Sequence, residues 1–192
     1  MIKRICLILP IILATGCASN YKVEGSYPTP LVPQLPVSME LELSDAFKNY
    51  VYTDTRSDSD VTISLGAAQT ELFQTLINNM FVNDTEAPSL KITPKVNDFQ
   101  FSFPRETRSE IYEVWIKYRI AIEEPDGQII ADWILTGYGK TPTALLKSKR
   151  EAINAASIVA LRDIGTQLSI GFKRQPDIAL WLANNNVGAA AL

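Results

Sequence analysis

The chain has 192 residues, 46% of them hydrophobic, and a formal charge of −3. Its 18 basic residues form no cluster, which argues against nucleic acid and against docking to a membrane by charge alone. Histidine is absent, and with it the commonest general base and the commonest metal ligand.

At the N-terminus, Lys3 and Arg4 precede an apolar run from Ile5 to Leu13, interrupted by Cys6 and Pro10. This is the pattern of a secretory signal, and the run is too short to cross a bilayer as a helix. Ala14-Thr15-Gly16 then leads into Cys17. The stretch LATGC resembles the lipobox of bacterial lipoproteins, with Ala14 where leucine is usual and Leu13 one step further back. The resemblance implies that residues 1–16 are a signal peptide removed in the mature protein. It also implies that Cys17 carries diacylglycerol on its sulfur and an acyl chain on the new amino terminus. Three acyl chains exceed the two signals that stable anchoring needs. Ala18 stands where an aspartate would retain such a protein in the inner membrane, so the resemblance implies the periplasmic face of the outer membrane. Loss of Lys3 and Arg4 with the signal takes the charge from −3 to −5. Cys6 leaves too, so no internal disulfide can form.

Residues 17–36 hold the lipidated cysteine and a segment with Pro28, Pro30, Pro33 and Pro36, predicted to be an extended tether whose last part, Leu31 to Pro36, can lie along the domain. Met39, Leu41 and Leu43 alternate with Ser38, Glu40 and Glu42, the period of a half-buried strand. Asp45 to Tyr52 reads as a short helix or an irregular extension, and Val61 to Leu65 as a second strand. Between Ala67 and Phe81, Leu72, Phe73, Leu76, Ile77 and Met80 share one helical stripe. Leu90, Ile92 and Val96 alternate in one phase and Phe99, Phe101 and Phe103 in the other, which predicts a bulge at Asn97-Asp98. The strongest strand follows, with Tyr112, Val114, Ile116, Tyr118, Ile120 and Ile122 on one face. Pro125-Asp126-Gly127 makes the turn to a returning strand over Gln128 to Lys140. Leu145 to Phe172 predicts a long helix with Ile153, Ala156, Ala160, Ile164 and Leu168 on one side. A short piece covers Pro176 to Leu182, and residues 184–192 read as a flexible tail. The expectation is one α+β domain over residues 37–183, a largely antiparallel sheet in the order β-β-α-β-β-β-α with two helices on one face.

Little in this order supports chemistry. Gly139-Lys140-Thr141 copies the end of a phosphate loop, but Ile134 occupies the position of its first glycine and the context is a strand. The two glycines instead predict close packing beneath an aromatic such as Trp115 on the neighbouring strand. Asp54, Asp58 and Asp60 suggest calcium yet lack the glycine and distal glutamate of an EF-hand loop. No G-x-S-x-G elbow exists, and a Ser-His-Asp triad is impossible without histidine. The expectation is therefore no enzyme, no cofactor and no metal.

A surface remains. Opposite the apolar face of the strongest strand lie Trp115, Lys117 and Arg119. If Glu124 pairs with Gln128, Trp133 falls opposite Arg119, and the four residues form a candidate partner surface, aromatic and basic. A slip of one residue would reverse the inward face of the returning strand.

The stretch EVWIKYRIAIEEPDGQIIADWILTGYGK and the Ala-rich helix after it are similar to outer-membrane lipoproteins labelled as transport-auxiliary or assembly components. The arrangement also resembles the α/β domains of the lipopolysaccharide-assembly and curli-secretion lipoproteins. The resemblance implies a non-enzymatic accessory or assembly role with an envelope protein as partner, and it carries over no active site. The other expectation is a periplasmic ligand-binding module for lipid or glycan, holding its ligand between sheet and helices.

Overall fold

The computed structural model describes residues 19–54, 61–82, 84, 86–107, 110–146 and 148–187. Cys17, the signal segment and Asp58 and Asp60 lie outside them. In chain order the elements are β1 (Ser19–Lys22), β2 (Leu35–Leu41), α1 (Asp45–Lys48), β3 (Val51–Asp54), β4 (Val61–Ser64), α2 (Gly66–Met80) and β5 (Phe81–Val82). There follow β6 (Ser89–Ser102), α3 (Pro104–Thr107), β7 (Ile111–Glu123), β8 (Ile129–Pro142), α4 (Lys149–Gly171) and α5 (Pro176–Asn184).

The hairpin of β7 and β8 is the centre of the molecule. Gly127 takes a φ of 90° in its turn, and the Glu124 N–H donates to the Gln128 carbonyl at 2.9 Å. β6 pairs antiparallel with the other side of β7. At Asn97 the pairing jumps from Val96–Tyr118 to Asp98–Lys117, the bulge that the phase change of the side chains requires. Beyond β6 the sheet departs from the expected pattern. β2 joins β6 in parallel and β5 joins β2 in parallel, giving the order β5-β2-β6-β7-β8 in a mixed sheet. A parallel pair needs a long crossover, and the chain from β2 to β6 supplies one through α1, β3, β4 and α2. A second sheet, β1-β4-β3, was not expected as a separate unit.

Helix α4 sits closer to the sheet than side chains normally allow. A Cβ on Gly139 would lie 2.0 Å from the Ala156 carbonyl oxygen, and one on Gly137 would lie 2.3 Å from that of Ala160. The two glycines therefore admit a helix backbone on the inner face; they do not lie beneath Trp115. Ser148 begins the helix, its hydroxyl accepting from the Glu151 N–H at 3.2 Å, so α4 starts four residues later than periodicity alone predicts. Helix α2 meets the same side of β7: the Phe73 ring stands edge-on to Tyr118 at 5.4 Å and to Phe47 at 5.6 Å. The Tyr118 hydroxyl donates to Gln69 Oε1 at 2.7 Å, and the Gln69 amide donates to the Phe47 carbonyl. Tyr118 and Gln69 are both fully buried, and this chain of bonds gives the Tyr118 hydroxyl and the Gln69 amide their partners.

The segment expected to hold the domain away from the membrane is instead a strap bound along α4. Ser19 to Lys22 form β1 against β4, and Val23, Tyr27 and Leu35 are buried. Glu24 exchanges two hydrogen bonds with the Asn154 side chain, at 2.8 and 2.9 Å, and Arg162 donates to the Ser26 carbonyl at 3.0 Å. Proline removes donors, so the strap cannot form a ladder along its length; side chains of α4 satisfy its backbone instead. Within Leu31 to Pro36, Val32 and Leu35 join the core while Leu31 is fully exposed. The start of the expected tail is also docked, since Val187 packs on the core and its N–H bonds the Leu182 carbonyl at 2.9 Å.

The close approach of α4 gives a direct test. Gly139→Ala should lose about 3 kcal/mol or more, at the upper end of overpacking, and the melting temperature should fall by roughly 6–12 °C. Gly171→Ala, where a Cβ meets nothing within 4 Å, should leave stability unchanged or raise it by about 0.5–1 kcal/mol. Thermal unfolding of both proteins checks the pair; an unshifted Gly139→Ala would mean that α4 rides higher on the sheet.

Candidate functional site

The face of the sheet turned away from α2 and α4 is built by residues that alternate with the core. On β7 these are Glu113, Trp115, Lys117, Arg119 and Ala121; on β8 they are Asp132, Ile134, Thr136, Tyr138 and Lys140. Trp115 stands opposite Tyr138 with ring centroids 5.1 Å apart, and Ile134 stands opposite Arg119 with 47% of its surface exposed. Directly opposed residues in an antiparallel pair share a face.

Trp133 does not belong to this group. Glu124 and Gln128 do bond across the turn, but the register then shifts between Ile122 and Glu123, leaving Ile130 as the extra residue. Trp133 consequently faces Ile120 and packs against the core from the inner side. The bulge performs the one-residue slip that reverses a strand's faces. The polar phase of β8, Asp132-x-Ile134-x-Thr136-x-Tyr138-x-Lys140, is visible in the sequence and identifies the outward set. Asp132, Ile134 and Tyr138 are the members of the face that the search for aromatic and basic residues passed over.

Lys91, Lys117 and Arg119 on this side of the sheet are already engaged. Arg119 Nε donates to both carboxylate oxygens of Asp132 at 2.8 Å, and Nη2 adds a third contact. Arg119 thereby holds the Asp132 carboxyl below its ordinary range. Lys117 lies 3.5 Å from Asp98, and Lys91 bridges Glu42 and Glu123 at 3.1 and 3.0 Å. Tyr138 donates its hydroxyl to Glu113, which pushes its ionisation up to about 12. The middle of the face is therefore a set of cross-strand pairs around one aromatic contact. Ion pairs this exposed add about 0–1 kcal/mol each, so the part of the face able to gain from desolvation is Trp115, Tyr138 and Ile134.

The other candidates have simpler positions. Gly139, Lys140 and Thr141 continue β8, as a strand and not a phosphate loop. Among the described residues no three carboxylate or cysteine side chains converge on a metal-sized site, and no helix is long and apolar enough to cross a membrane.

No protein-family model matches the chain, and no curated protein matches it. Solved structures that it resembles include a candidate lipoprotein from Caulobacter crescentus CB15, at 13% identity over 76% of this chain and 90% of that one, with a TM-score of 0.43. A minor lipoprotein from Acinetobacter baumannii has 17% identity over 74% of this chain and 94% of that one, with a TM-score of 0.38. Rare lipoprotein B from Shewanella oneidensis has 13% identity over 78% of this chain and 96% of that one, with a TM-score of 0.33. All three are lipoproteins by name.

The two faces of β7 separate in one experiment. Tyr118→Asp buries an unpaired carboxylate, which costs several kcal/mol against a net stability of about 5–15 kcal/mol for a whole domain. It should abolish cooperative unfolding. Trp115→Ala removes a half-buried ring, losing about 0.5–1.5 kcal/mol for the pair with Tyr138 besides the area it covers, and should still unfold cooperatively, at a lower temperature. Calorimetry on both variants decides which face the core occupies.

Proposed function

We propose that this chain is a lipid-anchored lipoprotein on the periplasmic face of the outer membrane. In this reading its α+β domain acts without catalysis, as an accessory or assembly component of an envelope complex. The observation that carries it is the junction LATGC at residues 13–17, placed directly after the apolar run. The position of β1 adds to it. Ser19 is two residues beyond Cys17, and two residues span at most about 7 Å. A lipid on Cys17 would thus hold the domain by its own first strand, against the bilayer. The partner surface in this reading is the outer face around Trp115 and Tyr138, with Lys117 and Arg119 setting orientation through their pairs with Asp98 and Asp132.

The anchor and the surface are tested separately. Cys17→Ser should leave unprocessed precursor in the inner membrane or release soluble protein; mature protein persisting in the outer membrane would refute the anchor. Crosslinking in intact envelopes followed by affinity purification should recover a stoichiometric partner. Trp115→Ala should weaken that recovery by about 2 kcal/mol, roughly thirtyfold in affinity, as expected of an interface tryptophan. Normal recovery with a folded Trp115→Ala protein would remove this face from the account. A second reading, a ligand-binding module for lipid or glycan, is favoured by a cavity between the strap and the helices.

A further inference from the structure

The domain has two ends of contrasting charge. The strap and α4 run side by side in one direction: Tyr21 lies by Lys149, Glu24 by Asn154 and Ser26 by Arg162. The strap then passes a cavity of about 370 Å³ walled by Pro28, Val32, Leu72 and Ile170. Ser19, the first residue of β1, therefore sits at the end of the molecule where α4 starts. β6 and β8 finish at that end and β7 begins there, since Ser102 pairs with Glu113 and Ile111 with Pro142. The Pro125-Asp126-Gly127 turn is at the other end. The 13 residues of β7 separate the two by roughly 40 Å.

The end near Ser19 is basic and aromatic. Residues 140–150, KTPTALLKSKR, carry Lys140, Lys147, Lys149 and Arg150 and no acid. Lys140, Lys149 and Arg150 are exposed. The Lys149 ammonium stands 4.2 Å from the centre of the Phe103 ring and 5.8 Å from that of Tyr21. Phe103 in turn meets Tyr112 edge-on, with ring centroids 6.4 Å apart. All three rings are half-buried and pack on the core, so each keeps a side toward solvent. Cations beside half-wet aromatic rings suit the headgroup layer of a bilayer. The acids of this end are engaged in part: Glu24 pairs with Lys22 at 2.7 Å, and Glu106 accepts from the Phe103 N–H at 2.9 Å. The turn end is the reverse. Residues 123–128, EEPDGQ, hold three acids and no base. Lys173 and Arg174, just after α4, are outnumbered there by Asp84, Glu86, Glu124, Asp126 and Asp177.

We infer that the basic end rests on the headgroups of an anionic bilayer and that the β7–β8 turn points away from it. This deepens the anchored reading and rests on it: Cys17 is two residues from Ser19, at most about 7 Å. The lipid supplies the attachment. The bases of residues 140–150 supply the direction, because they attract anionic headgroups within a Debye length of about 10 Å, while the acidic turn is repelled at the same range. The strands of the larger sheet then stand upright on the membrane. Trp115 lies four residues into β7, about 13 Å above its start, so a partner on the outer face is met close to the bilayer.

The test uses the mature protein, purified from membranes and returned to vesicles of phosphatidylethanolamine and phosphatidylglycerol with a nitroxide on their headgroups. Cys17 is acylated in this reading, so the thiol of Ala144→Cys or Asp126→Cys, both at exposed positions, takes a fluorescent label alone. The nitroxide should quench the label at residue 144 and leave that at residue 126 bright. Lys149→Glu combined with Arg150→Glu puts acids in the first turn of α4, where they favour the helix dipole, so the protein should still melt cooperatively. In it, the ratio of quenched to bright label at residue 144 should fall about fivefold for each cation removed. Equal quenching at residues 144 and 126 would overturn the orientation. Quenching unchanged in the folded double variant would overturn its electrostatic cause. The anchor is read separately, from the mass of the N-terminal peptide and from flotation with the vesicles. Unacylated protein would overturn the anchor and this orientation together, whereas acylated, floating protein with both labels equally quenched overturns the orientation alone.

Discussion

Helix α4 lies on β8 with no side chain between the two backbones at Gly137 and Gly139, and the remaining architecture is arranged around that contact. The close approach brings α4 to the rim of the sheet, where β8 is an edge strand with one row of backbone groups unpaired by neighbours. Asp163 accepts from the Tyr138 N–H at 3.0 Å, and Gln167 donates to the Thr136 carbonyl at 2.8 Å. The helix thus covers part of the edge that could otherwise recruit another strand. On its far side the same helix presents Asn154 and Arg162 to the strap. Raising α4 by one methyl group would loosen the core, expose the edge and unseat the strap together.

The two faces of the central sheet obey different physics. The inner face is apolar apart from Thr141 and the bonded series of Tyr118, Gln69 and Phe47, and it fixes a single packing. The outer face is polar, and Lys91, Lys117 and Arg119 are matched to carboxylates on neighbouring strands. Such pairs contribute little to stability and more to the choice and orientation of a partner. The aromatic contact of Trp115 with Tyr138 is the place on this face where burial by another protein would yield the most.

Legibility in the sequence followed the range of the interactions. β7 was visible because six apolar residues alternate without interruption, and the Asn97 bulge because the phase of alternation breaks there. The stripe of α4 was equally plain, although its start was set by the Ser148 cap and not by periodicity. The parallel pairing of β2 was hidden, because alternation reports faces and says nothing of strand direction. The strap was hidden for a related reason. Its prolines fit an isolated extended chain as well as a docked one, and only α4, more than a hundred residues away, distinguishes them. Of the proposed surface, Trp115, Lys117 and Arg119 share a face, while one bulged residue sent Trp133 to the other. The cavity had no sequence signature at all, since its walls come from three segments that periodicity treats separately.

The strap also bears on the order in which the molecule can be assembled. Its hydrogen bonds reach across 130 residues to Asn154 and 136 to Arg162. Contacts of such separation form late, because the entropy of closing the intervening chain is lost before they return anything. A chain emerging N-terminus first would therefore present residues 19–35 long before the helix that receives them exists. Until α4 is made, the strap has nowhere to go, and the chain stays an incomplete fold. A lock whose two halves lie so far apart in sequence keeps the chain slack until α4 has been made and closes it only afterwards.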